Sequence, residues 1–321
     1  MDDALILGDY DFNVPSDKKN KSFDPKKLLL PIKKAEKRLM FLQYQTWQRL
    51  VGNKLVLAPV SFKSNERILE VATGAGTSSP SHDLTAHNLI LSLFFNIQIG
   101  FWMLDFAVTL PRTVTLHGVD RSSRHFPKQH PENVSFSTCA ATALPFSWQD
   151  YFDFVHQRFL SLSLTLYEWK AAISEIHRVL KPGAWVQIGE VYPAFPSGEF
   201  GSKQKALFYA MSQSRGLDLD IPLQLSEHLT SIGFVNVSVE ESAGECGSEY
   251  GSQGKGNKGR MLAVTKSMKS EVIRAGGFGI VNSKKEFDEI VKGLEKEYDQ
   301  GESRIRFFTC IAQKPLPVES P

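Results

Sequence analysis

The chain has 321 residues, 42% of them hydrophobic, enough for one large core with an accessory layer and too few for two independent enzymes of ordinary size. Its 37 Lys and Arg nearly balance 35 Asp and Glu, for a net charge of +2. That balance excludes a global field able to recruit nucleic acid or a membrane surface.

In chain order, the opening MDDALILGDYDF is acidic and has no apolar run after a basic start, which argues against a signal peptide. Cys139, Cys246 and Cys310 are scattered, without a C-x-x-C pair or a His cluster. We therefore expect no metal site and a reducing, cytoplasmic setting. Residues 1–34 gather lysines without apolar periodicity and read as a flexible Lys-rich tail. Residues 35–60 form a helical cap: AEKRLMFLQYQTWQRL sets Leu39, Leu42, Trp47 and Leu50 on one helical stripe.

A core over 61–243 follows. Ile68–Ala72 reads as a short buried strand running into the glycines of TGAG. VTLHGV (114–119), residues 134–137 and FDFVH (152–156) read as further strands. WKAAISEIHRVL (169–180) reads as a helix stopped by Lys181-Pro182-Gly183, with AWVQIGEV (184–191) as the fifth strand. Alternating strands and helices predict an α/β, Rossmann-like fold: a mostly parallel sheet with helices on both faces. The rhythm then breaks. LQLSEHLTSI (223–232) reads as a helix, FVNVSVE (234–240) and RIRFFTCIAQ (304–313) as strands, and 284–298 as a helix. The glycine-rich GECGSEYGSQGKGNKG (244–259) reads as a mobile loop, so 244–321 is expected to hold a loop, an accessory helix and the final strand.

The strongest chemical signal is ILEVATGAG (68–76), an acidic strand end followed by a glycine turn. Such a turn lets backbone N–H groups approach a charged ligand, and the following helix adds its dipole. Asp120 ends the second strand, where a carboxylate can accept both ribose hydroxyls. Together these indicate a nucleoside cofactor and leave S-adenosylmethionine (SAM) and NAD open. His156, Glu190 and Tyr192 fall at the C-terminal ends of strands, the ligand side of an open parallel sheet. Of these, His156 and Glu190 are the candidate catalytic groups.

ILEVATGAG, HGVD, PENVSF, LPF, FDFVHQRFL and EIHRVLKPGAWVQIGEV, in that order, resemble the motifs of class I SAM-dependent methyltransferases, most closely the LaeA-like fungal methyltransferases of secondary metabolism. The resemblance runs from about residue 36 to residue 196. It implies a seven-stranded, mostly parallel sheet with an antiparallel last strand, SAM as cofactor, and a small-molecule N, O or S nucleophile as substrate. Carried over, it assigns Glu70, Gly74 and Gly76 to the methionine end of SAM and Asp120 to the ribose. Cys139 and Ala140 would edge the adenine, and His156 with Gln157 would lie beneath the sulfonium. Ala72 departs from the pattern where the family has its first glycine, and Ala140 where many relatives have an adenine-binding Asp.

A second departure is larger. In the resembled family the glycine turn runs directly into a helix, whereas here Thr77–Gly100 intervenes before FWMLDFAVTLP. Removing it joins GAG to FWMLDFA and shortens the Glu70–Asp120 separation from 50 residues to 26. We expect 77–100 to be extraneous, a retained intron, with a genuine lid as the alternative. The apolar run 89–110 is then the sum of insert and helix rather than a membrane span. On the helix, Asp105 is expected to face solvent. The competing functions are a methyltransferase-like regulator acting through protein partners, with a nuclear location, a form inactivated by the insert, and an NAD-dependent oxidoreductase. The last is disfavoured because the loop lacks G-x-G-x-x-G.

Overall fold

The computed structural model describes residues 44, 47–73, 100–123 and 126–317. The tail 1–34, most of the amphipathic stretch 35–50, Gly74, Gly76 and residues 77–99 of the expected insert lie outside the described residues.

Strand β1 (Arg67–Val71) shows why these sequences make a sheet covered on both faces. Ile68 points into an apolar cluster with Trp47, Phe101 and Trp102, while its neighbour Leu69 points into another with Trp169, Ile173 and Leu225. Phe154 and Val155 of β4 (Phe152–Arg158) divide in the same way. The two-residue period therefore feeds two cores at once. Between them come helix α1 (Phe101–Ala107), β2 (Thr115–Asp120) and β3 (Val134–Thr138). Helix α2 (Leu166–Val179) leads directly into β5 (Leu180–Tyr192). Then follow α3 (Glu199–Gln213), α4 (Ile221–Ile232), β6 (Val235–Cys246), α5 (Gly251–Arg274), α6 (Lys284–Glu297) and β7 (Ser303–Gln313).

The sheet has seven strands in the order β3-β2-β1-β4-β5-β7-β6. Strands β1 to β5 pair in parallel and the last strand is antiparallel, as the resemblance implies; β7 lies between β5 and β6. The order reverses at β1 and β4. There the crevice outside the strand ends opens to a ligand.

Several expectations are corrected. Helix α2 begins at Leu166 rather than Trp169, because Thr165 and Glu168 form a reciprocal capping box. Lys181-Pro182-Gly183 does not follow the helix as a stop; it lies within β5, at a register shift between Phe152 and Phe154 of β4. The stretch 244–259 is not a loop: it comprises the end of β6 and the first turns of α5. Propensity disfavours a glycine-rich helix, but packing overrides it. A side chain at Gly254 would stand 2.4 Å from the Gly247 carbonyl oxygen, and Asn257 donates to the Glu245 carbonyl at 2.8 Å. Beyond them Met261, Val264, Met268 and Val272 bury one face.

Helix α3 carries no expectation from the sequence. With α5 and α6 it encloses a third apolar cluster containing Leu207, Phe208, Met261, Met268, Phe287 and Leu294. Its polar groups are matched: Gln204 donates to Thr265 at 2.7 Å, and Tyr298 donates to the Ala194 carbonyl at 2.9 Å.

Asp105 is half-buried rather than solvent-facing. It accepts hydrogen bonds from Tyr44 Oη and Gln48 Nε2, each at 2.7 Å, so the carboxylate ties α1 to the N-terminal helical stretch. The apolar Phe101–Ala107 is a core helix, buried by Tyr44 and Trp47. No helix among the described residues is long and apolar enough to cross a membrane.

Candidate functional site

Just beyond β1 the chain turns sharply. Ala72 has φ +60°, the left-handed region that costs a residue with a Cβ roughly 1 kcal/mol or more. Thr73 then donates its N–H to the Val119 carbonyl at 2.9 Å and accepts the Gly100 N–H at 2.7 Å. So Thr73 and Gly100 are joined directly, although 26 residues separate them in the sequence. Gly100, at φ +59°, is the N-cap of α1, and its carbonyl accepts from Leu104 at 2.8 Å. A Cβ there would press on the Phe136 ring at 3.3 Å. Gly74 and Gly76, which the sequence assigns to this turn, lie outside the described residues.

An open cleft lies at the C-terminal ends of β1, β2 and β4. Its walls include Ala72, Asp120, Cys139 and Ala141, and its other side is Arg158, Phe159 and Leu160. Asp120 is the one carboxylate among the lining residues, only 3% exposed, with Oδ1 accepting the Ser122 N–H at 3.1 Å. Beside it Arg121 pairs with Glu168 at 3.0 Å, tying the cleft rim to the α2 capping box. Cys139 lies on the wall opposite the β4 exit; burial pushes its thiol up to about 11, so it is not a thiolate.

These features fit a nucleoside. The small side chains Ala72, Cys139 and Ala141 leave room beside a carboxylate at the end of β2, as ribose binding requires. Ala140, expected at the adenine edge, forms a bridge with Ala143 next to Ala141. Among the described residues no group of His, Cys, Asp and Glu is placed to hold a metal ion.

Glu70, His156, Gln157 and Glu190 are brought close to the cleft but lie under it, each at most 1% exposed. His156 stacks on Trp102, with ring centroids 3.7 Å apart, and burial drives its pKa well below the usual range, leaving a neutral imidazole. Glu190 accepts from Leu160 N–H at 2.6 Å, Ser161 N–H at 3.2 Å and Ser161 Oγ at 2.7 Å. Its role in the structure is to hold the β4 exit, although burial pushes its carboxyl up to about 7. Gln157 turns to the α2 side of β4, where neither side-chain atom has a hydrogen-bond partner among the described residues.

The sequence offers Arg158 only as a neighbour for Glu190 and gives it no place in the site. Its guanidinium stacks 3.9 Å above the Trp47 ring and stands 3.9 Å from Glu70 Oε1. The signal was present: in FDFVHQR, Phe154, His156 and Arg158 share one face of a strand that is buried on both sides. A charge at such a position needs an explanation.

A family model described as a methyltransferase domain matches residues 99–183. The match begins as the interruption ends, so β1 and its glycine turn fall outside it. The N-methyltransferase gliN of Aspergillus fumigatus is 26% identical over 306 residues, covering 89% of this chain and 96% of that protein. The N-methyltransferase sirN of Leptosphaeria maculans is 26% identical over 298 residues, covering 89% and 94%. Among solved structures, a Haemonchus contortus phosphoethanolamine N-methyltransferase 2 in complex with S-adenosylhomocysteine aligns at 18% identity and TM-score 0.46, covering 86% of this chain and 52% of that one. With the sheet order and the Asp120 cleft already in place, the matched domain and the methyltransferase relatives support a SAM-dependent methyltransferase.

Proposed function

We propose that this chain transfers a methyl group from SAM to a nitrogen of a small secondary metabolite. The observation that carries the choice of nitrogen is the lining of the cleft, where the only carboxylate among the described residues is Asp120. Asp120 is committed to the ribose, the nearby Cys139 is held as a thiol, and His156 and Glu190 are engaged beneath the floor. A neutral amine attacks through its own lone pair and loses its proton afterwards, whereas a hydroxyl first needs a base. The N-methyltransferase relatives, aligned over nearly their whole length, and the LaeA-like motifs support the same reading.

SAM, when bound, supplies an already activated methyl group. The chain's work is alignment. Asp120 holds the ribose, the Cys139–Ala140 turn borders the adenine, and the β4 exit at 158–160, held by Glu190, shapes the wall near the reacting centre. Incubating the protein with methyl-labelled SAM and a panel of small amines, phenols and thiols of matched size tests this. Label recovered on nitrogen supports the proposal, and label confined to oxygen or sulfur overturns it.

A further inference from the structure

We propose that Tyr192, Tyr209 and Asp220 form the receiving point for the acceptor amine. Tyr192 Oη accepts its N–H, and Asp220, acting through Tyr209, supplies the negative charge that balances the nitrogen as it becomes positive. The inference rests on the N-methyltransferase reading above and adds to it the residues that meet the acceptor.

The three side chains come from three elements. Tyr192 ends β5, Tyr209 lies on α3, and Asp220 directly precedes α4. Tyr209 donates to Asp220 Oδ1 at 2.5 Å, and the hydroxyls of Tyr192 and Tyr209 stand 3.0 Å apart. A phenol has one proton to give. Tyr209 gives its own to the carboxylate, so the bond between the tyrosines is donated by Tyr192. Burial, and then the bond to Asp220, hold the Tyr209 hydroxyl well above its ordinary range, which keeps it a donor. The chain therefore runs from Tyr192 through Tyr209 to Asp220, and among the described residues nothing donates to Tyr192 Oη. What that oxygen can still receive is a hydrogen from outside.

The charge at the far end selects the donor. An Asp before a helix ordinarily accepts from the N–H groups of the first turn. Asp220 does not cap α4 in this way; its carboxylate is turned to Tyr209, and Asp218 Oδ1 steadies the loop by accepting the Asp220 N–H at 2.8 Å. Among the described residues no cation pairs with Asp220. Lys205 lies 5.6 Å from the centre of the Tyr209 ring, and Arg306, 6.0 Å from that of Tyr192, is held by both oxygens of Glu241 at 2.7 and 2.8 Å. A hydrogen-bond chain ending on a carboxylate is polarised toward it, which strengthens the free oxygen at its other end as an acceptor. During transfer the nitrogen lone pair forms the N–C bond and the electrons of the breaking S–C bond go to sulfur, so positive charge passes to nitrogen. An N–H on that nitrogen suits Tyr192 Oη, whereas an acceptor arriving as phenolate or thiolate is repelled.

The chain is brought to the cofactor cleft from two sides. Glu190, two residues before Tyr192 and on the same face of β5, holds the N–H of Leu160, which lines the cleft. In the connection from α3 to α4, a Cβ at Gly216 would meet Thr165 Cγ2 at 3.4 Å, next to the lining residue Leu164. Tyr192, Tyr209 and Asp220 are all half-buried, as groups that meet an incoming ligand must be.

The test is kinetic, with the full chain, methyl-labelled SAM and the panel amine that the wild type labels fastest on nitrogen. Y192F is expected to lower kcat/KM for that amine by about 10- to 100-fold and D220N by about 5- to 20-fold. The loss should fall chiefly on kcat, because the charge develops in the transition state, and S-adenosylhomocysteine affinity should change less than about twofold. Y209F breaks both bonds, so adding D220N to it should bring no further loss, and D220E should recover part of the activity that D220N loses. Losses that track a fall in melting temperature or in S-adenosylhomocysteine affinity mark a structural role and overturn the proposal, as do additive losses in the double variant. Label on nitrogen with Y192F within about twofold of wild type overturns this proposal alone. Label confined to oxygen or sulfur, or absent from the whole panel, overturns the N-methyltransferase reading and this proposal with it.

Discussion

The two halves of the molecule use polar groups in opposite ways. Around α3, α5 and α6 the buried polar groups satisfy one another, as in the Gln204–Thr265 and Tyr298–Ala194 bonds, inside a cluster that is otherwise apolar. Around β1 and β4 the buried groups are left incomplete: Glu70 Oε1, both nitrogens of His156 and the amide of Gln157 lack hydrogen bonds among the described residues. The first half is organised for its own stability. The second borders the cleft, so substitutions in the two halves should separate stability from binding.

The largest expected effect is in the helical half. Phe287 is fully buried at the centre of its cluster, and Phe287→Ala is expected to cost about 3–5 kcal/mol of unfolding free energy. Denaturant unfolding measures this, and cofactor affinity of the folded protein should stay within a factor of about two. A large loss of affinity would mean that the halves are not separable.

In the cofactor half, Asp120→Ala is expected to weaken S-adenosylhomocysteine by about 1.5–3 kcal/mol, roughly 10- to 150-fold, through loss of charge-assisted bonds to the ribose. Asp105→Ala makes the sharper contrast. It removes the acceptor for Tyr44 and Gln48 and should lower the melting temperature while changing affinity far less. Equal affinities for the two variants would show that Asp120 is not the ribose ligand.

The third effect concerns the junction between β1 and α1. The hydrogen bond between Thr73 and Gly100 already brings the two sides of the interruption together. Deleting Thr77–Gly100 puts Gly76 where Gly100 now caps α1, with Phe101 following in either case. We expect the deletion to strengthen binding by up to about tenfold, because a helix dipole acts within its first turn. Titration of both forms with SAM decides, and a full-length chain that binds equally tightly would make the segment a tolerated lid. The smallest effect is Ala72→Gly, which relieves a left-handed alanine on the cleft wall. It should raise the melting temperature and stabilise the fold by about 1 kcal/mol; a neutral or destabilising result would show that the turn is not strained.

The parts of the fold that could be read from the sequence were those set by short-range chemistry. Buried Ile, Leu, Val and Phe marked β1, β2 and β4, and Asp120 at a strand end lines the cleft. Helix α5 escaped because its cause is not local: one of the glycines that suggest a loop, Gly254, is required where the helix presses against Gly247. Arg158 escaped for the opposite reason. Its position on the strand was readable, but Trp47, which stacks on it, lies more than a hundred residues earlier in the chain. Asp105 looked like a surface charge on α1 for the same reason, since its partners Tyr44 and Gln48 come from outside the helix.

The position of β7 has a consequence for how the chain is made. Its eleven residues are nearly the last of the described chain, yet they lie inside the sheet, paired to β5 on one side and β6 on the other. During synthesis from the N-terminus, β5 must therefore wait with an open edge while more than a hundred further residues emerge. Such edges invite pairing with other chains. A chain ending anywhere before Ser303 would lose an interior strand, leaving the β5 edge exposed and β6 with no place in the sheet. Released chains truncated before Ser303 and chains that include Gln313 should differ sharply in protease resistance across β5, even though every group assigned to the cofactor is already present in both.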